Sequence, residues 1–490
     1  MNYLNDDARL ATDAEFTKTL TRRKMDQLCK ESGIPLKCEG DTVYTDDSDA
    51  HTLIFGNTGS KKTRNFCIPS VYTIASAGET MVISDPKGEI YDNTSGYLSQ
   101  MGYDIKVINL REPEKGSKWN PLILPYKLYK NGQQDRAVEL ITDFTVQLKS
   151  RVHSDRDLYW EEQASDLLIG LILILFECEE DSAKVHMGSI EDLRMLIQLQ
   201  NGDAENDTFW ELVESFPKDS LVRYKLASVY SLRRTDKTLP CILSTLDSMI
   251  GIFSFSRRIQ NMLDTSEVSY EELGLRKTAL FLIIPDEKLT FHFLVSVFIK
   301  QCYEQLISTA FTYERKALPV RVNFVLDEFS NFPRIADMPA MISAARSRNI
   351  RFILVVQSRR QLNALYGDDA EKIKSNCKNW VFLTCREIGL LQEISELCGT
   401  VYINGRGNRP LLGPTQLQRL EIGWEDSQAL VMRAQSFPHI SWVKDFSCFP
   451  QASIPPRELR SRTFRPAPVF SAPAYLYRRL REAIRTTREF

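Results

Sequence analysis

Histidine is scarce in this 490-residue chain, with five copies, and the ten cysteines lie scattered at 29, 38, 67, 178, 241, 302, 377, 385, 398 and 448 without one C-x-x-C pair. That argues against a zinc cage or a disulfide framework and fits a reducing cytoplasm. Excess charge is lacking too. Lys and Arg number 62 against 64 Asp and Glu, a net charge of −2, so any contact with nucleic acid must rest on local patches. Long apolar runs are also missing. The longest, Leu167 to Phe176, has Glu161, Glu162 and Asp166 before it and Glu177, Glu179 and Glu180 after it. A helix needs about 20 apolar residues to cross a bilayer, so this run reads as a buried core helix. The first residues, MNYLNDDARLATDAEFTKTL, contain no apolar core of a secretory signal. No internal repeat is evident.

What the chain does have begins at His51, in HTLIFGNTGSKKT. An apolar strand (Leu53, Ile54, Phe55) runs into Gly56-Asn57-Thr58-Gly59-Ser60-Lys61-Lys62-Thr63-Arg64, nearly G-x-x-x-x-G-K-[ST]. A loop between a strand and a helix N-terminus aims backbone N–H groups at an anion, and the helix dipole adds positive potential. Lys62 would reach the β- and γ-phosphates, and Thr63 would hold Mg²⁺ through its hydroxyl. The pattern departs at one place: Lys61 stands where glycine lets the backbone crowd the phosphates. A Gly/Ser/Thr turn with two surface lysines is the bland alternative.

Residues 1–50 are polar and mixed, with a helix expected over Lys18 to Glu31 and a loop or edge hairpin over Asp41 to Asp49. Residues 51–134 read as the first part of a nucleotide-binding domain. After the loop comes a helix to about Ser76, kinked or shortened by Pro69. Strands follow at Thr80 to Ser84 and Ile105 to Leu110, with a helix between them. Alternation of this kind signals a parallel α/β sheet, whose ligand site lies at the carboxyl ends of its strands. Asp85 sits at one such end, either capping the next helix or serving the site. From 135 to 275 helical periodicity dominates and predicts an inserted all-α domain. Its Arg223, Lys225, Arg233, Arg234, Arg257 and Arg258 are either a solvated face or points that meet a substrate.

The α/β pattern returns over 276–450. Thr278 to Ile284 is a continuous apolar strand, as in the middle of a parallel sheet. Val322 to Leu326 ends in Asp327-Glu328, the Walker B pattern, in which Asp327 holds Mg²⁺ and Glu328 deprotonates the attacking water. A further strand, Arg351 to Val356, ends in Gln357, which is either a γ-phosphate sensor or a plain turn residue. Arg346 and Arg348 precede it, either as surface arginines or as groups that reach a neighbouring subunit's nucleotide. The tail, 451–490, turns basic. From Arg457 onward it has nine arginines against three glutamates, about +6, with a possible stripe of Leu476, Leu480, Ala483 and Ile484. It reads as an arm for nucleic acid, membrane or partner, or as a disordered end.

Taken together, HTLIFGNTGSKKTR, SDPKGEIY, WNPL, FVLDEFSNFP, AARSRNI, ILVVQSRRQLNALYG and RPLL resemble the TraG/TraD-like coupling proteins of conjugative type IV secretion systems. The motifs run in that family's order over about residues 50 to 435. The resemblance implies a RecA-like P-loop NTPase with an inserted all-α domain, assembling as a homo-hexamer. It implies ATP and Mg²⁺ as cofactors, and single-stranded DNA, an attached relaxase and secretion-channel components as partners. By motif position, Lys62 and Thr63 take ATP and Mg²⁺, Asp327 and Glu328 form the Walker B pair, Gln357 is the sensor and Arg346 the finger offered in trans. Members of the family usually begin with membrane helices. None is evident here, which leaves a naturally soluble member, docking on a separate membrane subunit, or a removed segment. Work at the cytoplasmic face of the membrane follows from the family. A nucleotide-gated receptor with little hydrolysis, because of Lys61, and a DNA pump of the FtsK/HerA type are the alternatives.

Overall fold

The computed structural model describes residues 8–151, 158–199, 208–235, 237–403, 407–463 and 465–479. The chain divides into two compact units, one of residues 1–111 and 269–459, the other of residues 112–268 and 460–490.

The first unit is α/β. Its strands, in chain order, are β1 (Thr21–Lys24), β2 (Ile34–Glu39), β3 (Thr42–Asp46), β4 (His51–Phe55), β5 (Thr80–Asp85), β6 (Asp104–Asn109), β7 (Thr278–Ile283), β8 (Val322–Leu326), β9 (Ile350–Val356), β10 (Cys377–Phe382), β11 (Thr400–Ile403), β12 (Gly407–Pro410), β13 (Asp426–Arg433) and β14 (His439–Lys444). A nine-stranded sheet runs β14-β13-β10-β4-β9-β8-β5-β7-β6. From β10 to β6 every neighbouring pair is parallel, and β13 and β14 complete the sheet antiparallel. Every residue of β4, β5, β7, β8 and β9 is buried, which is why these segments are mostly apolar, with a few polar members such as Asn323 and Arg351 buried among them. The helices Ile68–Ser76, Glu89–Gln100 and His292–Phe311 supply much of the cover.

Strand order places the site. β9 lies between β4, which feeds the phosphate loop, and β8, which ends at Asp327. Three separate sequence motifs therefore finish side by side at one rim. The helix after the loop opens with a wide turn, Thr63–Cys67, in which the Ile68 N–H bonds back to the Thr63 carbonyl, five residues earlier. Pro69 falls in the first turn of the α-helix that follows, where its missing N–H costs little, so it marks a change of pitch and not a break.

The expected helix over Lys18 to Glu31 is absent. A short helix, Asp13–Thr17, is closed by a capping box between Thr12 and Glu15, and Thr21–Lys24 is an edge strand paired with β3. The tertiary partner, not local propensity, decides this segment. Where a loop or edge hairpin is expected over Asp41 to Asp49, the structure has β3, the central strand of a three-stranded sheet, whose hairpin partner β2 lies before it across a turn at Gly40.

The second unit is helical: Ile123–Lys130, Gln134–Lys149, Leu158–Cys178, Met187–Leu199, Thr208–Glu214, Leu221–Ser231, Thr238–Ser254 and Arg257–Met262. Leu167 to Phe176 is wholly buried at its centre. No helix among the described residues is long and apolar enough to cross a membrane. The unit begins at Glu112 and not near 135, because the WNPL segment belongs to it. The Trp119 N–H donates to the Met262 carbonyl (2.9 Å), and the buried Asn120 amide donates to the carbonyls of Val185 (2.7 Å) and Asp264 (3.0 Å).

The described part of the tail, read from the sequence as an arm or a loose end, is mostly exposed but is fastened at several points. In the first unit the Arg457 N–H donates to Ser95 Oγ (3.0 Å). In the second, Arg462 pairs with Glu267 (2.8 Å), and Phe470 is buried with its N–H on Ser189 Oγ (3.0 Å). Leu480, Ala483 and Ile484 lie outside the described residues.

Candidate functional site

The phosphate loop is held from both neighbouring strands. The Gly56 N–H donates to the Val356 carbonyl at the end of β9 (3.3 Å), and the Asn57 N–H to the Thr384 carbonyl after β10 (3.0 Å). Gly56 has no room for a side chain, since a Cβ would meet Ser60 Oγ at 2.4 Å, and Gly59 is left-handed at φ +81°. Ser60 closes the loop on itself, with Oγ on the Asn57 carbonyl (2.7 Å).

Lys62 is buried, and its Nζ donates to the carbonyls of Gly56 (2.6 Å) and Asn57 (2.9 Å) inside the loop. An ammonium has three donors, and these carbonyls take two. Burial lowers its pKa, against the charges of Asp327 and Glu328. Thr63 Oγ1 donates to Asp327 Oδ2 at 2.6 Å, across 264 positions of sequence. The hydroxyl and the carboxylate are hard oxygen donors placed together, the set Mg²⁺ takes alongside phosphate oxygens. Among the described residues no cluster of three or more His, Cys, Asp or Glu could by itself cage a metal.

Gln357 bridges the two motifs. Its Oε1 accepts from Thr58 Oγ1 (3.2 Å), and its Nε2 donates to Glu328 Oε1 (2.5 Å). The Asn331 amide donates to the other oxygen, Glu328 Oε2. Glu328 itself is left-handed at φ +54°, a strained backbone for a side chain with a Cβ, and strain of this kind collects at functional sites. Asn331 escaped the sequence reading, although its place three residues after Glu328 on a tight turn was a visible signal.

Asp85 ends β5, the neighbour of β8, and it caps the helix Glu89–Gln100 by accepting from the N–H groups of Gly88, Ile90 and Tyr91, the last at 2.7 Å. The geometry thus gives it a capping role. Burial pushes its pKa up to about 7, with the Asp327 charge adding to the rise. Burial and the Glu328 charge push Asp327 up to about 6, while the Thr63 hydrogen bond and the Lys62 charge oppose the rise. Both values lie above the ordinary 3.8. Between pH about 4 and about 7 these two carboxyls therefore keep protons in the folded chain that they release in the unfolded one. Their contribution to stability is greatest at the acid end of this window, falls as pH rises through it, and is level above it. Asp85→Asn keeps a capping side chain and removes the buried charge. Its melting temperature should exceed the parent's by several degrees at pH 8 and by little at pH 4.5, in the nucleotide-free chain. An equal change at both pH values would contradict this assignment.

Other expected site residues point elsewhere. Lys61 is left-handed at φ +64°, which accounts for glycine in the general pattern. The conformation costs roughly 1–2 kcal/mol for an L-residue, and charge-assisted bonds from Nζ to the carbonyls of Gly423 (2.9 Å) and Trp424 (2.8 Å) offset it. Arg64 is committed to Asp445, through two bonds of 2.7 Å, and stacks on Phe446. Arg346 lies at the opposite rim, before β9 begins, paired with Asp49 (2.8 Å) ahead of β4. A strand of seven residues puts it roughly 20 Å from Gln357. Arg348 donates to the Lys316 carbonyl and covers the Phe311 ring on the same rim. His51 is structural: its Nδ1 accepts from the Phe352 N–H (3.0 Å), its Nε2 meets the Ile342 carbonyl (2.8 Å), and burial lowers its pKa to about 4, so it stays neutral.

Comparison with known proteins agrees with this frame. A conjugal transfer protein TraG of Escherichia coli is 24% identical over 399 residues, which cover 76% of this chain and 59% of the relative. The chain thus spans about three fifths of that relative's length. Among solved structures, the conjugative coupling protein TrwBdeltaN70 in complex with sulphate aligns with TM-score 0.61 at 15% identity, covering 95% of this chain and 97% of that one. TrwB in complex with a non-hydrolysable ATP analogue aligns with TM-score 0.59 at 16% identity, covering 96% and 98%. These likenesses establish a shared RecA-like α/β fold. The motif order seen from His51 onward extends into a family match over residues 7–408, and on that match this chain belongs to the type IV secretory system conjugative DNA transfer family.

Proposed function

We propose that this chain is the ATP-driven coupling protein of a conjugative system. It binds MgATP in the loop Gly56–Thr63 and couples hydrolysis to moving single-stranded DNA, with attached relaxase, toward a type IV secretion channel. The observation that carries the reading is the Thr63–Asp327 hydrogen bond of 2.6 Å, which joins the phosphate loop to the Walker B strand. Thr63 and Asp327 would hold Mg²⁺, which supplies charge neutralisation on the phosphates. Lys62 binds the phosphate oxygens, Glu328 takes a proton from the attacking water, and Gln357 links the two sides of the site. Arg346 serves a neighbour's site in a homo-hexamer, and the helical unit recognises the substrate. The chain works at the cytoplasmic face of the membrane. TrwB structures with ADP and Mg²⁺ and with nucleotide analogues support the cofactor assignment.

The test is phosphate release with and without single-stranded DNA, run beside native mass determination. Turnover should be stimulated by DNA and rise with protein concentration as the ring forms. Release that is absent at every concentration, with or without DNA, would overturn the proposal. The left-handed Lys61 favours a second reading, a nucleotide-gated receptor with little hydrolysis. On that reading MgATP raises the melting temperature without turnover, and Lys61→Gly switches hydrolysis on.

A further inference from the structure

Gly423 to Asp426 form a braced turn leading into β13. The Gly423 N–H donates to the Asp426 carbonyl (2.9 Å) and the Asp445 N–H to the Glu425 carbonyl (2.7 Å). A Cβ on residue 423 would meet the Asp426 carbonyl oxygen at 2.5 Å, so the turn requires glycine there. On this rigid turn the Trp424 side chain stands 80% exposed.

The turn is fastened to the phosphate loop from two sides. Lys61 Nζ lies 5.2 Å from the indole centroid while donating to the carbonyls of Gly423 and Trp424. Arg64, one residue past Thr63, holds Asp445 through two bonds of 2.7 Å, and its guanidinium lies 4.4 Å from the Phe446 ring centroid. The open indole thus sits one lysine side chain away from the loop that would carry the phosphates, a gap that a ribose and an α-phosphate bridge.

We propose that Trp424 is the base seat of the nucleotide site. Lys61 covers one face of the indole, and the other stacks on the purine of the nucleoside triphosphate whose phosphates occupy Gly56–Thr63. The inference rests on the nucleotide reading of that loop. A flat aromatic seat holds a base by its π-face and reads no hydrogen-bonding edge, so adenine and guanine should be held alike.

The test is calorimetric titration of the full chain with MgATP, MgGTP and magnesium tripolyphosphate, repeated on Trp424→Ala and Trp424→Phe. The alanine variant should bind MgATP and MgGTP about tenfold more weakly, as loss of one base–aromatic stack does. It should bind tripolyphosphate as the parent does. Phenylalanine should recover most of the loss. Unchanged MgATP affinity in the alanine variant would overturn the base seat, as would an equal loss of tripolyphosphate, which has no base. A parent chain that binds neither MgATP nor MgGTP but takes tripolyphosphate would overturn it too. A parent that binds none of the three would overturn the nucleotide reading itself.

Discussion

A Glu328→Gln chain is expected to keep its affinity for MgATP and to release phosphate at least about a hundredfold more slowly, the range in which removal of a positioned general base falls. The substitution is nearly isosteric, but the present carboxylate is gripped by two donors, Gln357 Nε2 and the Asn331 amide. With an amide at 328, one of these donors would face another N–H. Gln357 can relieve this by turning its own amide, because the hydroxyl of Thr58, which now donates to it, can equally accept. The binding loop is therefore spared and the chemistry alone is lost. Lys62→Ala should behave in the opposite way: it removes the buried ammonium of the loop, so affinity for MgATP collapses along with turnover. Steady-state phosphate release and equilibrium binding, measured on both variants, separate the two. Parental turnover in Glu328→Gln would remove this residue from the mechanism.

Apart from Asn331, the residues of that argument were legible in the sequence because each motif is local. Gly56 to Thr63 and Val322 to Glu328 carry their own spacing, and a parallel sheet has one rim at which both can end. The helical unit was legible for a similar reason: 3.6-residue periodicity survives whatever the helices pack against. What stayed hidden depended on distant partners. Thr21–Lys24 has no apolar alternation and becomes a strand through β3, about twenty residues on. The Arg- and Pro-rich tail looked unanchored because one buried aromatic, Phe470, carries little weight among so many charges. Arg346 looked close to Gln357 in sequence, yet a whole strand stands between them. Lys61 looked like a defect in a glycine loop. Its acceptors, Gly423 and Trp424, lie more than 360 positions away, and only the folded sheet, with β13 beyond β10, brings them to it.

The largest stability effect should come from the rim opposite the site. Arg351, near the start of β9, is buried and spans several acceptors: Nε donates to Asn323 Oδ1 (2.8 Å), Nη1 to the carbonyls of Ser32 (2.9 Å) and Ser48 (3.2 Å), and Nη2 to Ser32 Oγ (2.7 Å). Its charge faces Glu79, also buried, at 3.5 Å. Burial lowers the arginine to a pKa of about 10 even with the Glu79 charge opposing the fall, so it stays charged at neutral pH. Arg351→Met would leave these acceptors without donors and Glu79 with Arg321, also at 3.5 Å, as its remaining countercharge. Removing one partner of a buried pair costs about 3–5 kcal/mol, far above the change expected for an exposed arginine such as Arg360. Because the chain has two compact units, the loss should appear in the calorimetric transition of the α/β unit and leave the helical unit's transition in place. The double variant Arg351→Met with Glu79→Met should lose less than the two single losses added together, since each single change strands the other charge. Strict additivity, or a loss no larger than that of Arg360→Met, would mean that the pair is incidental. The expected coupling also bears on function: β9 is pinned at this end by Arg351 and presents Gln357 at the other, so the destabilised variant should bind MgATP more weakly although no residue of the pocket has changed.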